Sequence, residues 1–376
     1  MNRLQKAYIG VSSAKNNLEN VIKTFSPLRI FLVRGKNSYE LSGAKTLIDS
    51  NTTKKGIDLI AFSDFSENPK EEDVIKGVCS LEAQRVDLIM ATGGGSVIDM
   101  AKLLRFRHSY ARVKNNNFKK IKELIPLIAM PTTAGTGAEA THFAVLYDNK
   151  VKYSISHPDI LPDIAIVDPS FTYTNSPYLT ACSGFDALSQ GIEAYWNVNA
   201  TAESDKYAVK AIELIYPNLL LAINNDLEAR NNISEGAYWA GKAINITKTT
   251  APHAFSYPFT SYYNYPHGHA VALTFPFFTH FNMNIPENEY KGKLPLNEYN
   301  DKMNHLRSLL KLETGKEYDL MKNYILSTGL SFTLPQIFDE NIILKNINME
   351  RLDNNPRVFN FEHGTTFFAT FAATVK

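Results

Sequence analysis

The sequence predicts an α/β amino-terminal domain followed by an all-α carboxyl-terminal domain. Short apolar runs alternate with helical stretches through the first half. Strand signals fade from about residue 177, and helical spacing takes over. Alternation of strands and helices implies a parallel sheet with crossover helices.

The first run, residues 28–33, follows Pro27 and precedes Gly35. The second, 58–62, ends near the turn signal Asn68-Pro69. Residues 86–91 make the third, and 124–130 the fourth, stopped by Pro131. A helix is predicted over 70–85, where Val74, Ile75, Val78 and Leu81 recur at helical spacing. Ligands of such sheets bind at the carboxyl ends of the strands. In the second half, helical spacing covers 181–196, 204–223, 232–246, 297–312 and 318–328. The boundary falls near 175–177, giving domains 1–176 and 177–376. Asn115-Asn116-Asn117 and Asn224-Asn225 read as turns.

Composition narrows the function classes. The chain has 376 residues, with 39 Lys plus Arg against 38 Asp plus Glu, a formal net charge of +1. That balance argues against a dedicated nucleic-acid binder, which carries a basic excess. Residues 1–17 hold Lys and Arg but no apolar signal core. The longest apolar runs are far below the ~18–20 residues of a membrane helix. Two cysteines, Cys79 and Cys182, make neither a disulfide framework nor a paired zinc site. A reduced, cytoplasmic setting is expected.

Three motifs carry chemistry. Gly93-Gly94-Gly95-Ser96 follows the third strand and opens a helix with apolar Val97, Ile98, Met100, Ala101, Leu103 and Leu104. Glycines let a ligand approach the backbone, and a helix start favours an anion, so a pyrophosphate fits. The same residues also suit a tight turn with no ligand. Pro131-Thr132-Thr133-Ala134-Gly135-Thr136-Gly137-Ala138-Glu139 follows the fourth strand and can line a cofactor groove or be a plain polar loop. Two such loops after neighbouring strands suggest a dinucleotide. In the second half, Asp186 and Gln190 share a helix face, and His253, His267 and His269 follow. One carboxylate and two imidazoles suit zinc or ferrous iron with a position open for substrate. They also fit scattered polar residues in a chain with 9 histidines.

These motifs together resemble the iron-containing (group III) alcohol dehydrogenase family. The resemblance rests on the stretch from Gly93 to Lys102, Pro131-Thr132-Thr133-Ala134-Gly135-Thr136-Gly137, Val167-Asp168-Pro169, Phe185-Asp186-Ala187-Leu188, Ile192-Glu193-Ala194-Tyr195, Pro266-His267-Gly268 and Asn354-Asn355-Pro356-Arg357. It runs from about Leu28 to Arg357. It implies a dinucleotide-binding α/β domain plus an all-α domain, the fold shared with dehydroquinate synthases. Gly93, Gly94, Gly95 and Ser96 would then hold the cofactor pyrophosphate, and Asp99, Thr132, Thr133 and Thr136 would line its groove. Asp186, His253 and His267 match three metal ligands. Gln190 stands at the fourth, a histidine in typical members, and Tyr257 stands where a further histidine is usual.

The implied activity is reduction of a small aldehyde by NADPH or NADH with Fe2+ or Zn2+, by a homodimer. The proton is expected to arrive through water or a nearby group, with His269 and Tyr257 as the candidates. The stretches 247–254 and 266–273 resemble the phosphonoacetaldehyde reductase branch. There Lys248, with His269, Thr249 and Thr250, suits an anionic headgroup; the same lysine also fits a solvated side chain at a helix end. Val33-Arg34-Gly35-Lys36-Asn37-Ser38 has no carboxylate to repel a 2′-phosphate, which favours NADPH. Three other readings stay open: polyol oxidation like that of glycerol dehydrogenases, a lyase of the dehydroquinate synthase type, and a nucleotide-binding protein without metal.

Overall fold

The computed structural model describes residues 4–112, 117–148 and 151–374, so the expected turn at Asn115-Asn116 lies outside the described residues. The chain divides into two compact units, Met1–Asn175 and Ser176–Lys376.

In the first unit the strands are β1 (Lys6–Ile9), β2 (Arg29–Arg34), β3 (Asp58–Phe62), β4 (Leu88–Gly93), β5 (Tyr110–Arg112), β6 (Phe118–Lys120), β7 (Leu127–Pro131), β8 (Phe143–Asp148), β9 (Val151–Ser156) and β10 (Ile164–Val167). The helices are α1 (Ser13–Phe25), α2 (Ser38–Leu41), α3 (Ala44–Thr53), α4 (Glu71–Glu82) and α5 (Gly95–Ser109). Six strands form one sheet in the order β1-β10-β7-β4-β2-β3, every pair parallel. Alternate residues enter two different cores. Phe31, Val33, Ile89, Ala91, Leu127 and Ala129 pack with α4 and α5. Ile30, Leu32, Leu88, Met90, Ile128 and Met130 pack with α1 and α3. Burial on both faces is why these strands read as unbroken apolar runs.

All four predicted runs become strands, with ends displaced by up to three residues. Pairing decides the ends: Asp87 Oδ2 accepts from the N–H groups of both Leu28 and Arg29, at 2.9 Å each, where β2 begins. The four-residue β1 and β10 and the hairpins β5–β6 and β8–β9 were not predicted, being too short or too polar for the apolar signal.

The second unit is helical: α6 (Pro177–Trp196), α7 (Ala202–Ile215), α8 (Leu219–Ile223), α9 (Leu227–Thr247), α10 (Ala251–Tyr263), α11 (His267–Met283), α12 (Leu296–Leu309), α13 (Glu317–Ser327), α14 (Glu340–Lys345), α15 (Met349–Leu352) and α16 (Phe361–Thr374). α6 is buried along most of its length and packs on α7, α9 and α11. Ser176 caps it and Pro177 starts it, four residues before the apolar pattern begins. The single helix predicted over 204–223 is two, α7 and α8, broken around Pro217, which cannot supply an interior N–H. α10 and α11 were not predicted as helices. Pro258 and Pro276 lie inside them and blur the periodic signal.

Two-sided burial makes a stability prediction. Ile89→Ala, in the fully buried centre of β4, should cost about 2–5 kcal/mol in chemical denaturation. Leu28→Ala, at a side chain 81% exposed, should cost less than about 0.5 kcal/mol. Similar losses in the two variants would contradict the packing described.

Candidate cofactor loop and metal centre

β4 runs into α5 through Gly94, whose backbone is extended at the helix N-cap. No side chain caps α5, whereas Ser176, Thr201 and Asp226 cap α6, α7 and α9. An uncapped start presents N–H groups and the positive end of the helix dipole to an anion. From β2 the chain moves outward to β3, and from β4 it moves the other way to β7. The carboxyl ends of β2 and β4 therefore flank the point where the winding reverses, the place where open α/β sheets bind ligands. Gly35 N donates to Thr92 O at 3.1 Å and Thr132 N donates to Gly93 O at 3.0 Å, so residues 34–38, 93–96 and 132–136 adjoin.

The three glycines differ. A Cβ on Gly93 would collide with Val97, and one on Gly95 would lie 2.7 Å from Thr136. A Cβ on Gly94 would meet Thr133 at an ordinary 3.5 Å. Packing thus explains Gly93 and Gly95, whereas Gly94 would accept a Cβ at ordinary contact distance. Thr132 Oγ1, in this loop, is buried without a partner, as suits a hydroxyl reserved for a ligand. Ser96 Oγ accepts from Asn68 N at 3.1 Å, and Thr136 Oγ1 from Ala138 N at 3.3 Å. Asp99 has a structural use that its spacing did not suggest: Oδ2 accepts from Val145 N at 3.0 Å, and Oδ1 lies 3.6 Å from the buried Lys102 ammonium. It ties α5 to the β8–β9 hairpin.

In the second unit, Asp186, Gln190 and Glu193 lie at i, i+4 and i+7 on α6, all three buried. Ligand atoms of Asp186, His253 and His267 all lie within 4.8 Å of one another. His253 Nε2 is 3.2 Å from Asp186 Oδ1, and His267 Nε2 is 3.8 Å from the same oxygen. The other ring nitrogen of His253, Nδ1, bonds Glu193 Oε2. Glu193 Oε1 accepts from Thr250 N and Thr250 Oγ1, both at 2.9 Å, and from His253 N at 3.4 Å. Burial pulls the His253 imidazole down, but Glu193 and Asp186 outweigh it and push it up to about 10. Two buried carboxylates converging on one imidazole favour positive charge at this place. Gln190 Oε1 is buried with no partner. The donor set fits a divalent cation: one carboxylate, two imidazoles, and a histidine whose second nitrogen is held by a carboxylate.

The family description "Iron-containing alcohol dehydrogenase" matches residues 5–169, and "Fe-containing alcohol dehydrogenase family, C-terminal" matches 180–325. An NADPH-dependent butanol dehydrogenase of Clostridium saccharobutylicum is 30% identical over 276 residues, 71% of each chain. The chain belongs to the iron-containing alcohol dehydrogenase family. Long-chain-alcohol dehydrogenase 1 of Geobacillus thermodenitrificans is 35% identical over 242 residues, 61% of this chain. The match spans 61% of that relative's own length. The sulfoacetaldehyde reductase of Bifidobacterium kashiwanohense, solved with NAD+, superposes with a TM-score of 0.85 at 27% identity, covering 98% of this chain and 97% of that one. Among the described residues, no helix is long and apolar enough to cross a membrane.

Within this family member, several of the expected site residues are engaged elsewhere. His269 Nε2 lies 2.7 Å from the Ser331 carbonyl, which only accepts, so Nε2 carries the proton. Nδ1 must then accept from the Tyr178 hydroxyl at 2.9 Å. Burial also lowers the His269 pKa. The ring is a neutral spacer with both nitrogens used, so the expectation of a proton donor or anion ligand there is corrected. The Lys248 ammonium pairs with Glu350, so its charge is already met. The Thr250 hydroxyl donates to Glu193 and accepts from Trp196 Nε1 at 2.9 Å, which removes it from the expected anion site. Tyr257 lies one turn after His253, its ring centroid 6.1 Å from that of His267. Asn354 and Asn355 brace the unit: Asn354 Nδ2 donates to Thr249 O at 3.0 Å, and Asn355 exchanges paired amide bonds with Asn282 at 2.9 Å.

Glu193 and Gly268 lie within the sequence motifs, but spacing alone assigns a role to neither. The signal for Glu193 was a carboxylate seven residues after Asp186 on an apolar helix. Gly268 lets α11 lie against α6, since a Cβ there would strike the Cys182 carbonyl. That approach sets His267 beside Asp186.

Two variants test these geometries. Gly94→Val should weaken cofactor binding while leaving the melting temperature near that of the wild type; unchanged affinity in calorimetry would remove the loop as a binding site. Glu193→Gln should loosen divalent metal by about 10–100-fold in chelator competition, because outer partners of ligating histidines contribute on that scale. Undiminished retention would show that Glu193 does not orient His253.

Proposed function

We propose that the protein reduces a small aldehyde to an alcohol with NADPH, using iron or zinc held by Asp186, His253 and His267. The convergence of these three side chains, with His253 locked by Glu193, carries the reading. A bound divalent cation supplies Lewis acidity to the carbonyl oxygen, and the nicotinamide supplies hydride. Asp186 contributes the single negative charge of the donor set. Glu193 holds the proton of His253 at Nδ1 and so leaves Nε2 to coordinate. With His269 occupied, Tyr257 is the remaining side-chain candidate for delivering a proton. Gly93 to Ser96 take the pyrophosphate. Arg34 and Lys36, at the end of β2, supply positive charge for a 2′-phosphate, and no acid stands among residues 33–38 to oppose it.

A second reading narrows the substrate to an anionic two-carbon aldehyde such as phosphonoacetaldehyde. The likeness to a sulfoacetaldehyde reductase favours it. The Lys248–Glu350 pair tempers it, because an incoming phosphonate must take Lys248 from Glu350.

The test is NADPH oxidation by protein loaded with Fe2+ or Zn2+, against neutral and anionic aldehydes. Sustained, stoichiometric NADPH consumption is the expected result. No turnover with any aldehyde, despite bound metal, would defeat the reductase reading and favour the lyase. Failure to retain metal would favour the metal-free nucleotide binder. Lys248→Ala should cost roughly tenfold or more in kcat/KM on a phosphonate aldehyde and little on a neutral one, matching one charge-assisted contact. Equal losses on both would remove the anionic reading. Equal efficiency with NADH and NADPH would remove the coenzyme preference.

A further inference from the structure

Three polar residues share one face of α6, and their partners differ. Asp186 faces two histidines, and Glu193 is saturated by the start of α10. Gln190, between them, is 3% exposed, and its Oε1 accepts no hydrogen bond. A buried acceptor left unpaired destabilises a fold, so buried amide oxygens normally have a donor or a cation. At i+4 from Asp186, Gln190 shares the face that presents the carboxylate. On α10 the residue one turn after His253 is Tyr257, a phenol, so that position adds no imidazole.

Resting on the metal-dependent reading above, we infer that Gln190 Oε1 is the fourth protein donor and that it relaxes the metal selectivity of the site. An amide and a neutral imidazole carry the same charge, so the exchange alters donor type and leaves net charge unchanged. Imidazole nitrogen suits zinc and ferrous iron, whereas carbonyl oxygen suits manganese and magnesium. A set of two oxygens and two nitrogens therefore separates Zn2+ from Mn2+ less sharply than one oxygen and three nitrogens. The orphaned oxygen is the structural trace of this coordination, since it lacks a partner in the protein because its partner is the ion.

The experiment is equilibrium dialysis of the full-length protein against buffered Zn2+, Fe2+ and Mn2+, with bound metal measured by elemental analysis and metal-free melting temperatures recorded alongside. It compares the wild type with Gln190→Leu, which cannot ligate, and Gln190→His. Gln190→Leu should weaken Zn2+ binding by at least about tenfold, the lower end of what an outer partner contributes. Its metal-free melting temperature should hold or rise, because an unpaired buried oxygen is gone. Gln190→His should tighten Zn2+ by about tenfold or more and shift Mn2+ much less, widening the ratio between them. Unchanged dissociation constants in Gln190→Leu would overturn the inference. So would a Gln190→Leu protein that melts lower without metal, together with a Gln190→His protein no tighter for Zn2+, since both mark a purely structural amide. A folded wild type that binds none of the three ions overturns the metal-dependent reading itself, a result distinct from the other two.

Discussion

Glu193 has no solvent contact, and the placement of His253 follows from how its charge is met. An isolated carboxylate in an apolar interior is too costly to persist, so it must collect donors. The start of α10 supplies them: two N–H groups, one hydroxyl and one imidazole nitrogen. Trp196 Nε1 completes the cluster by donating to the same hydroxyl. Moving α10 would strand the charge, so the helix start is pinned and the His253 ring with it. Nε2 is left facing Asp186. The candidate metal centre is therefore built outward from a residue that stands outside its donor set.

The first unit uses buried charge in a similar way. Lys102 and Arg105 sit fully buried on α5. Lys102 donates to Thr141 Oγ1 at 2.9 Å and Phe143 O at 2.8 Å, while Arg105 holds Asp163 at 2.8 Å and Leu161 O at 2.6 Å. Burial pulls the Lys102 ammonium down to about 8 and pushes the Glu139 carboxyl up to about 7. These contacts clamp the segment after β7 and the β8–β9 hairpin onto the helix that begins at the glycine loop. A backbone proposed to bind phosphate gains from such rigidity, since its donors must already stand in place when a ligand arrives.

The three histidines at 253, 267 and 269 look alike in one dimension. Their environments divide the work. His253 lies between two carboxylates, His267 is set beside Asp186 by the close approach at Gly268, and His269 is held neutral between a tyrosine and a carbonyl. A two-residue offset on a helix turns the side chain through about 200 degrees, which is why 267 and 269 cannot share one cavity wall.

The order of the units, the four runs that became central strands and the glycine loop are legible in the chain alone, while Asp186, His253 and His267 stand out as a set only through the family resemblance. The apolar runs are encoded locally, because a strand buried on both faces must be apolar throughout, whereas three glycines after a strand suit a ligand loop or a tight turn. What tertiary structure decided is everything that depends on a partner distant in the chain. Glu193 acquires its role from residues 57 and 60 positions later, and Lys248 meets a carboxylate 102 positions later. Neither separation leaves a periodic trace. The resemblance puts Gln190 at a ligand position, but only the fold buries its oxygen and provides it no donor. Hydrophobic pattern is a property of neighbours along the chain; hydrogen-bond satisfaction is a property of neighbours in space, and only the folded molecule sets it.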